Sequence, residues 1–474
     1  MGIPTTPFPT LQEARATLAA ARQEHLLAFW PQLSEAERET LLAEIGRIDF
    51  DLINRLLRDE LIWDASRLPY DRLEPPEIWR LGRDGPCITR ADARAKGEAM
   101  LRAGKVACLV AAGGQGTRLG FPGPKGTLPV GPVSGKSLFE IHCAKVRALE
   151  RKFGAAVPLL VMTSEANDED TRRHFELNAD WGLGEVRFVT QESLPSVDFQ
   201  GRIFLAEKHR IARSPNGHGG MISALEESGL LDELLDRGLT TLFYFQVDNP
   251  LVKIAEPFFL GAHEGTGAEY SLKVLRKRAP DEKLGVVARA DGTYLVIEYS
   301  DLPEILRDAR DARGEFLYWA GSPAIHVFSL RFLARLNDDD HPIRYHRAFK
   351  KVPHVDTTTG AYVTPAEPNG IKFEAFIFDT VPYARRVLVV EGVREEEFAP
   401  VKSRTGEDSL ESAQRMMASL HWRWLAARGA AWPREPDGLA ARPAEIHPTF
   451  ALDPEDLPAD VAARIPAEGP VYLE

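Results

Sequence analysis

From residue 101 onward the sequence runs in short apolar stretches, each closed by turn residues and followed by helical spacing: Val106–Ala112, Leu159–Met162, Val186–Val189 and Leu242–Val247. Runs of this length suit buried strands, and strands that alternate with helices must cross over between neighbours. The pattern therefore predicts an α/β fold with a largely parallel sheet and helices on both faces. Asp291-Gly292 separates two β-rich runs, Gly285–Ala290 and Thr293–Tyr299, and predicts a hairpin added to that sheet. A last apolar strand is expected at Val387–Val390.

The flanking segments read differently. Ser34 followed by Glu37 is a capping box, and Leu41, Leu42, Ile45 and Ile48, then Leu52, Ile53, Leu56 and Leu57, recur at helical spacing. Residues 65–89, with Pro69, Pro75, Pro76 and Pro86, read as an irregular connector. The C-terminal residues, rich in Ala, Pro and Trp, read as a small appended domain. For 474 residues, at about 150 per domain, the expectation is three sequential parts: a helical one over 1–100, a catalytic one over 101–390 and a small one over 391–474.

Composition removes several classes of function. With 44% hydrophobic and 27% charged residues the chain is globular. A formal net charge of -12 and no basic tract argue against a nucleic-acid partner. No apolar run is long enough to span a bilayer, and the N-terminal stretch lacks a basic region followed by an apolar core, so no membrane partner and a cytoplasmic location are expected. Cys87, Cys108 and Cys143 are too few and too scattered for a disulfide framework or a zinc site.

The most informative stretch is VACLVAAGGQGTRLGFPGPK, Val106–Lys125. A buried strand runs directly into Gly113, Gly114 and Gly116, then Arg118, then Lys125. Glycines after a strand let the backbone approach a ligand and aim N–H groups at phosphates, and the two cations add mobile charge. A tight turn alone would also use glycines, but it would not need the paired cations. The dinucleotide fingerprint fails because Gly120 comes one residue too late after Gly114-Gln115-Gly116. A P-loop fails because only three residues separate Gly131 from Gly135. Asp248 ends the run Leu242–Val247, and the carboxyl end of such a strand is where open α/β sheets bind ligands. A carboxylate there can hold Mg²⁺ together with substrate phosphates, although Asp-Asn-Pro also starts a turn.

Leu-Val-Ala-Ala-Gly-Gly-Gln-Gly-Thr-Arg-Leu-Gly with Pro124-Lys125-Gly126 resembles the signature of the UDP-sugar pyrophosphorylases, nearest to the eukaryotic type of UDP-N-acetylglucosamine pyrophosphorylase. The resemblance extends through Met162–Glu165, Gln191 with Leu194-Pro195, Ser214–Gly220, Val247–Asn249, Val296–Ser300, Pro368–Glu374 and Glu397–Lys402. It implies a Rossmann-like nucleotidyltransferase fold of the GT-A kind, with a central mixed sheet between helical N-terminal and small C-terminal domains. The implied reaction converts UTP and a sugar 1-phosphate into a UDP-sugar and pyrophosphate with Mg²⁺. Such a displacement uses a nucleophile that is already ionised, so positioning and charge neutralisation replace a Ser-His-Asp triad.

By the resemblance, Arg118, Lys125 and Lys402 are catalytic, and Gly113, Gly114, Gly116, Gln191, Gly217 and His218 bind the nucleotide. Gly285, Glu298, Ser322 and Lys372 fall at the sugar and its phosphate, and Asp248 at the metal. Two positions depart from the acetylglucosamine pattern. Gly217-His218-Gly219-Gly220 is similar to the UDP-glucose enzymes, and Ser322 stands where an Asn is usual. N-acetylglucosamine 1-phosphate is the expected acceptor, with glucose 1-phosphate or a broad sugar range as the alternative. A sensing module that binds UTP without turnover is the alternative of another class. The group His341, His346 and His354 near Asp338–Asp340 fits no helical metal-ligand spacing and reads as a solvated loop.

Overall fold

The computed structural model describes residues 10–338 and 344–474. Packing divides the chain into two compact units. One gathers the residues up to Leu68 with Gln191–Met221 and Pro342–Asp379, and the other Pro69–Thr190, Ile222–His341 and Thr380–Glu474. This division runs across the sequential parts expected at 1–100, 101–390 and 391–474. The reason lies in the first unit's core, where Leu41, Ile45, Ile53 and Leu56 of the N-terminal helices pack with Val197, Ile203, Leu205, Ile371 and Phe373. Those partners come from two later stretches of chain, and no shift in composition marks their return.

In the first unit Ser34 caps the helix Glu35–Gly46 as expected: Glu37 N–H donates to Ser34 Oγ at 3.4 Å and Ser34 N–H donates to Glu37 Oε2 at 2.8 Å. Helix Phe50–Leu57 follows. Strands Tyr345–Lys350, Gly370–Ala375 and Val197–Asp198 form a small antiparallel sheet beneath these helices' buried residues.

The second unit is built on an eleven-stranded sheet. Its strands are numbered here within the sheet: β1 Leu73–Glu74, β2 Val106–Ala111, β3 Leu159–Ser164, β4 Val186–Gln191, β5 Thr241–Gln246, β6 Tyr270–Arg276, β7 Gly285–Ala290, β8 Thr293–Ile297, β9 Ala320–Ser322, β10 His326–Ser329 and β11 Val387–Glu391. The order is β1-β7-β9-β6-β10-β5-β2-β3-β4, with β8 beside β7 and β11 beside β6. Every apolar run singled out in the sequence is a strand of this sheet. The sheet is mixed rather than largely parallel. β5, β2 and β3 are parallel, as are β6 and β11, but β10 lies antiparallel between β5 and β6, and the β7–β9 pairings are antiparallel. Apolar periodicity reports burial and not strand direction, so this difference could not be read from it.

The β7–β8 hairpin forms where Asp291-Gly292 predicts it, with Ala290 opposite Thr293 and positive φ at both turn residues. The connector at 65–89 is less irregular than expected, because Leu73–Glu74 pairs with β7 and Trp79 N–H donates to Val389 O at 2.8 Å. The C-terminal part is fastened to the second unit by its helix Leu410–Ala427. One face of that helix gives Ala413, Met417 and Leu420 to the main core, and the other packs Trp422 and Leu425 against Ala444, Ile446, Val461 and Val471. Among the described residues no helix is long and apolar enough to cross a membrane.

Candidate active site

β2 and β5 lie side by side and parallel, with Ala111 opposite Gln246. β3 and β4 continue on the far side of β2. The order of strands therefore reverses between β2 and β5, and the crevice beyond their carboxyl ends is the site where an open α/β sheet binds ligands. Val247 N–H donates to Ala111 O at 3.1 Å, so the glycine-rich loop and Asp248 leave the sheet from the same edge.

Buried side chains hold the glycine loop by its carbonyls. Ser164 Oγ donates to Gly113 O at 2.8 Å, and Asn167 Nδ2 donates to Ala112 O at 2.8 Å and Gly114 O at 3.4 Å. Asn167 Oδ1 accepts Ser164 N–H at 2.8 Å. Lys125 N–H donates to Gly114 O at 3.0 Å, and Gly116 N–H to Gly123 O at 2.9 Å, which closes the loop on itself. With the carbonyls turned inward, the N–H groups of Gly113 and Gly114 meet no acceptor among the described residues. Two outward amides beside cations suit an anion.

Lys125 Nζ stands 3.4 Å from Asp248 Oδ2, and the two side chains are only 19% and 9% exposed. Arg118 is exposed and has no carboxylate in ion-pair reach among the described residues. Around Asp248 the backbone is pinned from several directions. His142 Nε2 donates to Val247 O at 2.9 Å, and burial pushes the His142 pKa down to about 3, so the ring stays neutral. Lys145 Nζ donates to Pro250 O at 2.5 Å and Val252 O at 2.8 Å, with its pKa lowered to about 7 by burial and by the nearby Lys253.

Asn249 ties in the segment that carries Lys402. Its Nδ2 donates to Glu397 O at 2.7 Å, its Oδ1 accepts Ala399 N–H at 3.0 Å, and Val401 N–H donates to Asp248 O at 2.9 Å. The carboxylate of Glu397 and that of Glu256 share the buried ammonium of Lys273. Burial opposes that charge, but the two carboxylates more than offset it and hold the Lys273 pKa above its ordinary value. Lys402 itself is exposed, with Nζ 5.7 Å from the ring centre of Phe398.

Three of the residues expected near the sugar are adjacent in the sheet. Gly285 of β7 is directly opposite Ser322 of β9, and Val286 is opposite Ile297 of β8, which places Glu298 next in register on the other side of Gly285. Ser322 Oγ accepts Ala324 N–H at 3.5 Å.

The first unit collects a second group. Gln191 is buried, and Asn216 N–H donates to Glu192 O at 3.0 Å, so Gln191 and Gly217 are next in register. Gly217 has φ +85°, and a Cβ there would lie 2.4 Å from Ala375 O, so this turn accepts only glycine. The His218 ring stacks on Phe376 at 5.3 Å, and its Nδ1 accepts Ile377 N–H at 3.2 Å. That bond assigns the ring proton of the neutral form to Nε2. Lys372 lies on the strand Gly370–Ala375, opposite Ala348.

His346 and His354 are strand residues, not the solvated loop expected. His346 Nε2 meets Asp379 Oδ2 at 2.9 Å and its ring stacks on Trp63, while His354 Nδ1 meets Val352 O at 3.0 Å. These strands are short, polar and mostly half-buried, which left no helical or apolar pattern to find. His341, Asp339 and Asp340 lie outside the described residues, as does the side chain of Asp338.

Residues 71–422 match the family model described as UTP–glucose-1-phosphate uridylyltransferase. The chain belongs to this family. It is 35% identical to human UDP-N-acetylhexosamine pyrophosphorylase-like protein 1, over 96% of this chain and 95% of that protein. It is 34% identical to UDP-N-acetylglucosamine diphosphorylase 1 of Arabidopsis thaliana, over 93% of this chain and 89% of that one. The crystal structure of the uridine diphosphate N-acetylglucosamine pyrophosphorylase from Trypanosoma brucei superposes with a TM-score of 0.80 at 29% identity, covering 99% of both chains.

As a member of this nucleotidyltransferase family, the chain can be asked whether it suits a metal. Among the described residues no three His, Cys, Asp or Glu side chains converge. Asp248 offers one carboxylate beside Lys125, a donor set that suits a hard cation completing its shell with phosphate and water, and does not suit zinc. Ser164, Asn167 and Asn249 are the site residues that sequence reasoning missed. Ser164 and Asn249 fall inside motifs quoted above, but no spacing rule ties a side chain to a loop carbonyl more than fifty positions away.

Proposed function

We propose that this family member transfers the uridylyl group of UTP to N-acetylglucosamine 1-phosphate, giving UDP-N-acetylglucosamine and pyrophosphate. The observation that carries the reading is the pairing of the outward Gly113 and Gly114 amides with Lys125 and Asp248 at the carboxyl edge of β2 and β5. An oxygen of the sugar phosphate attacks the α-phosphorus of UTP. The bond from that phosphorus to the bridging oxygen breaks, and its electron pair leaves with pyrophosphate. The nucleophile is already an anion, so no general base is needed, and the chain's task is to neutralise phosphate charge. Lys125 and Arg118 do so from the glycine loop, Lys402 from its tethered segment.

Mg²⁺ is the metal of this proposal, held by Asp248 with substrate phosphates, and when bound it supplies further neutralisation of phosphate charge. Gln191, Gly217 and His218 are proposed nucleotide contacts, and Lys372 a proposed contact to the sugar and its phosphate. Cytoplasmic location belongs to the same reading, supported by three cysteines that are all unpaired.

The acetamido sugar is favoured by the names of the relatives, which refer to UDP-N-acetylhexosamine and UDP-N-acetylglucosamine. A broader sugar range is the second reading. It is favoured by Ser322, which lies directly opposite Gly285 in the sheet and carries a short hydroxyl that reaches less far than an amide would. Pyrophosphate release from UTP with a panel of sugar 1-phosphates tests both. Preference for the acetamido sugar supports the first reading, and equal use of glucose 1-phosphate supports the second. UTP binding without turnover of any sugar phosphate would make the chain a sensor.

A further inference from the structure

Resting on the uridylyltransferase reading, we infer that Arg404 binds the leaving pyrophosphate. Arg404 follows Lys402 on a short loop that is closed at both ends. Val401 N–H is bonded to Asp248 O, and the N–H groups of Lys402 and Ser403 both donate to Asp408 O, at 2.7 and 3.0 Å. Asp408 takes a left-handed φ of 55° to make this possible, and Ser409 then caps the helix Leu410–Ala427. The loop is thus fixed to the strand end on one side and to a long helix on the other.

This fixed loop carries the Arg404 guanidinium onto the glycine loop. Its Cζ and Nε each lie 4.0 Å from where a Cβ on Gly120 would stand. Gly120, at φ +71°, ends the turn Thr117–Leu119 that holds Arg118. In a chain with 70 acidic and 58 basic residues, Arg118, Lys402 and Arg404 are all exposed here without a carboxylate in ion-pair reach among the described residues. Arg118 on the loop and Arg404 beside Gly120, two exposed cations without an ion-pair partner among the described residues, raise the local positive potential that an anion needs.

The amides of Gly113 and Gly114 begin the phosphate cradle, and Gly120 with Arg404 lies at its other end. When the bond between the α-phosphorus and the bridging oxygen breaks, the departing pyrophosphate gains a negative charge. A planar guanidinium meets two of its oxygens as one fixed pair of parallel hydrogen bonds, a geometry that the rotating donors of an ammonium do not pre-set. Arg404 therefore steadies the leaving group in the forward direction and receives pyrophosphate in the reverse direction.

The test uses the full chain with Arg404→Ala and Arg404→Lys, assayed in both directions, and titration calorimetry with inorganic pyrophosphate. Loss of a charge-assisted pair should raise the KM for pyrophosphate at least about tenfold in Arg404→Ala, with Arg404→Lys intermediate and the KM for sugar 1-phosphate unchanged. Calorimetric affinity for pyrophosphate should fall in parallel. An unchanged KM and affinity for pyrophosphate, or a rise confined to the sugar 1-phosphate, overturns the inference. If the wild type binds pyrophosphate through Arg404 but catalyses nothing, the uridylyltransferase reading fails and the Arg404 site stands.

Discussion

Replacing Asn167 with alanine tests whether the buried clamp is what presents the glycine loop. The side chain is almost wholly buried and bonds Ser164 N–H, Ala112 O and Gly114 O. Its loss strands Ser164 N–H and Ala112 O, both in fully buried residues. At about 1–3 kcal/mol for each orphaned buried group, the cost is about 2–6 kcal/mol, large against a total stability of about 5–15 kcal/mol. Asn167→Asp keeps the acceptor for Ser164 N–H, and burial against two carbonyls favours its protonated form, which can still donate to Ala112 O, so its cost should be the smaller of the two. Denaturant unfolding of the three proteins gives the stability order, and initial rates give the KM for UTP. The expected result is a loss of stability in the order alanine, then aspartate, with the KM for UTP rising more than the KM for the sugar phosphate. If folded Asn167→Ala lost under about 0.5 kcal/mol and kept its KM for UTP, the clamp would not be what holds the loop.

Lys125→Ala removes the only cation that pairs with Asp248 among the described residues, and turnover should fall at least ten- to hundred-fold with the fold intact, as circular dichroism and rates will show. Ser322→Asn should shift the ratio of kcat/KM between the acetamido sugar and glucose, whereas an unchanged ratio in a competition assay would mean that residue 322 does not face the sugar. Acid should destabilise the chain through its buried histidines. Burial lowers the pKa values of His142 and His263 to about 3 and that of His421 to about 4. Below about pH 6.5 the unfolded chain takes up protons that the folded one refuses, so stability is complete above that pH and is lost as pH falls toward 4. The thermal midpoint should therefore be lower at pH 5 than at pH 7.5, and a flat or rising trend would contradict this.

Seven of the sheet's eleven strands, β2 to β5, β7, β8 and β11, were legible as short apolar or β-rich runs with clear stops, and Asp291-Gly292 marked the tight turn, whereas β1, β6, β9 and β10 were not read. Gly285 and Ser322, far apart in sequence, stand directly opposite each other in the sheet. What stayed hidden depends on contacts between distant stretches. The antiparallel entry of β10 between β5 and β6 has no local signature. Nor does the return of Val197, Ile203 and Phe373 into the core of the N-terminal helices. At the site, glycines and lysines stood out because their chemistry is unusual in a turn. Asn167 and Asn249 did not, because an asparagine that binds a remote carbonyl looks like any turn asparagine until the fold brings the carbonyl to it.

The central claim is a direct displacement at the α-phosphorus with no enzyme nucleophile, and the stereochemical course of the reaction tests it most directly. UTP carrying a sulfur of one configuration at the α-phosphorus would be incubated with N-acetylglucosamine 1-phosphate, and the configuration of the UDP-sugar product read by phosphorus NMR. A single in-line attack predicts inversion. Retention would require a covalent uridylyl–enzyme intermediate, and either that result or the absence of any UDP-sugar would contradict the account.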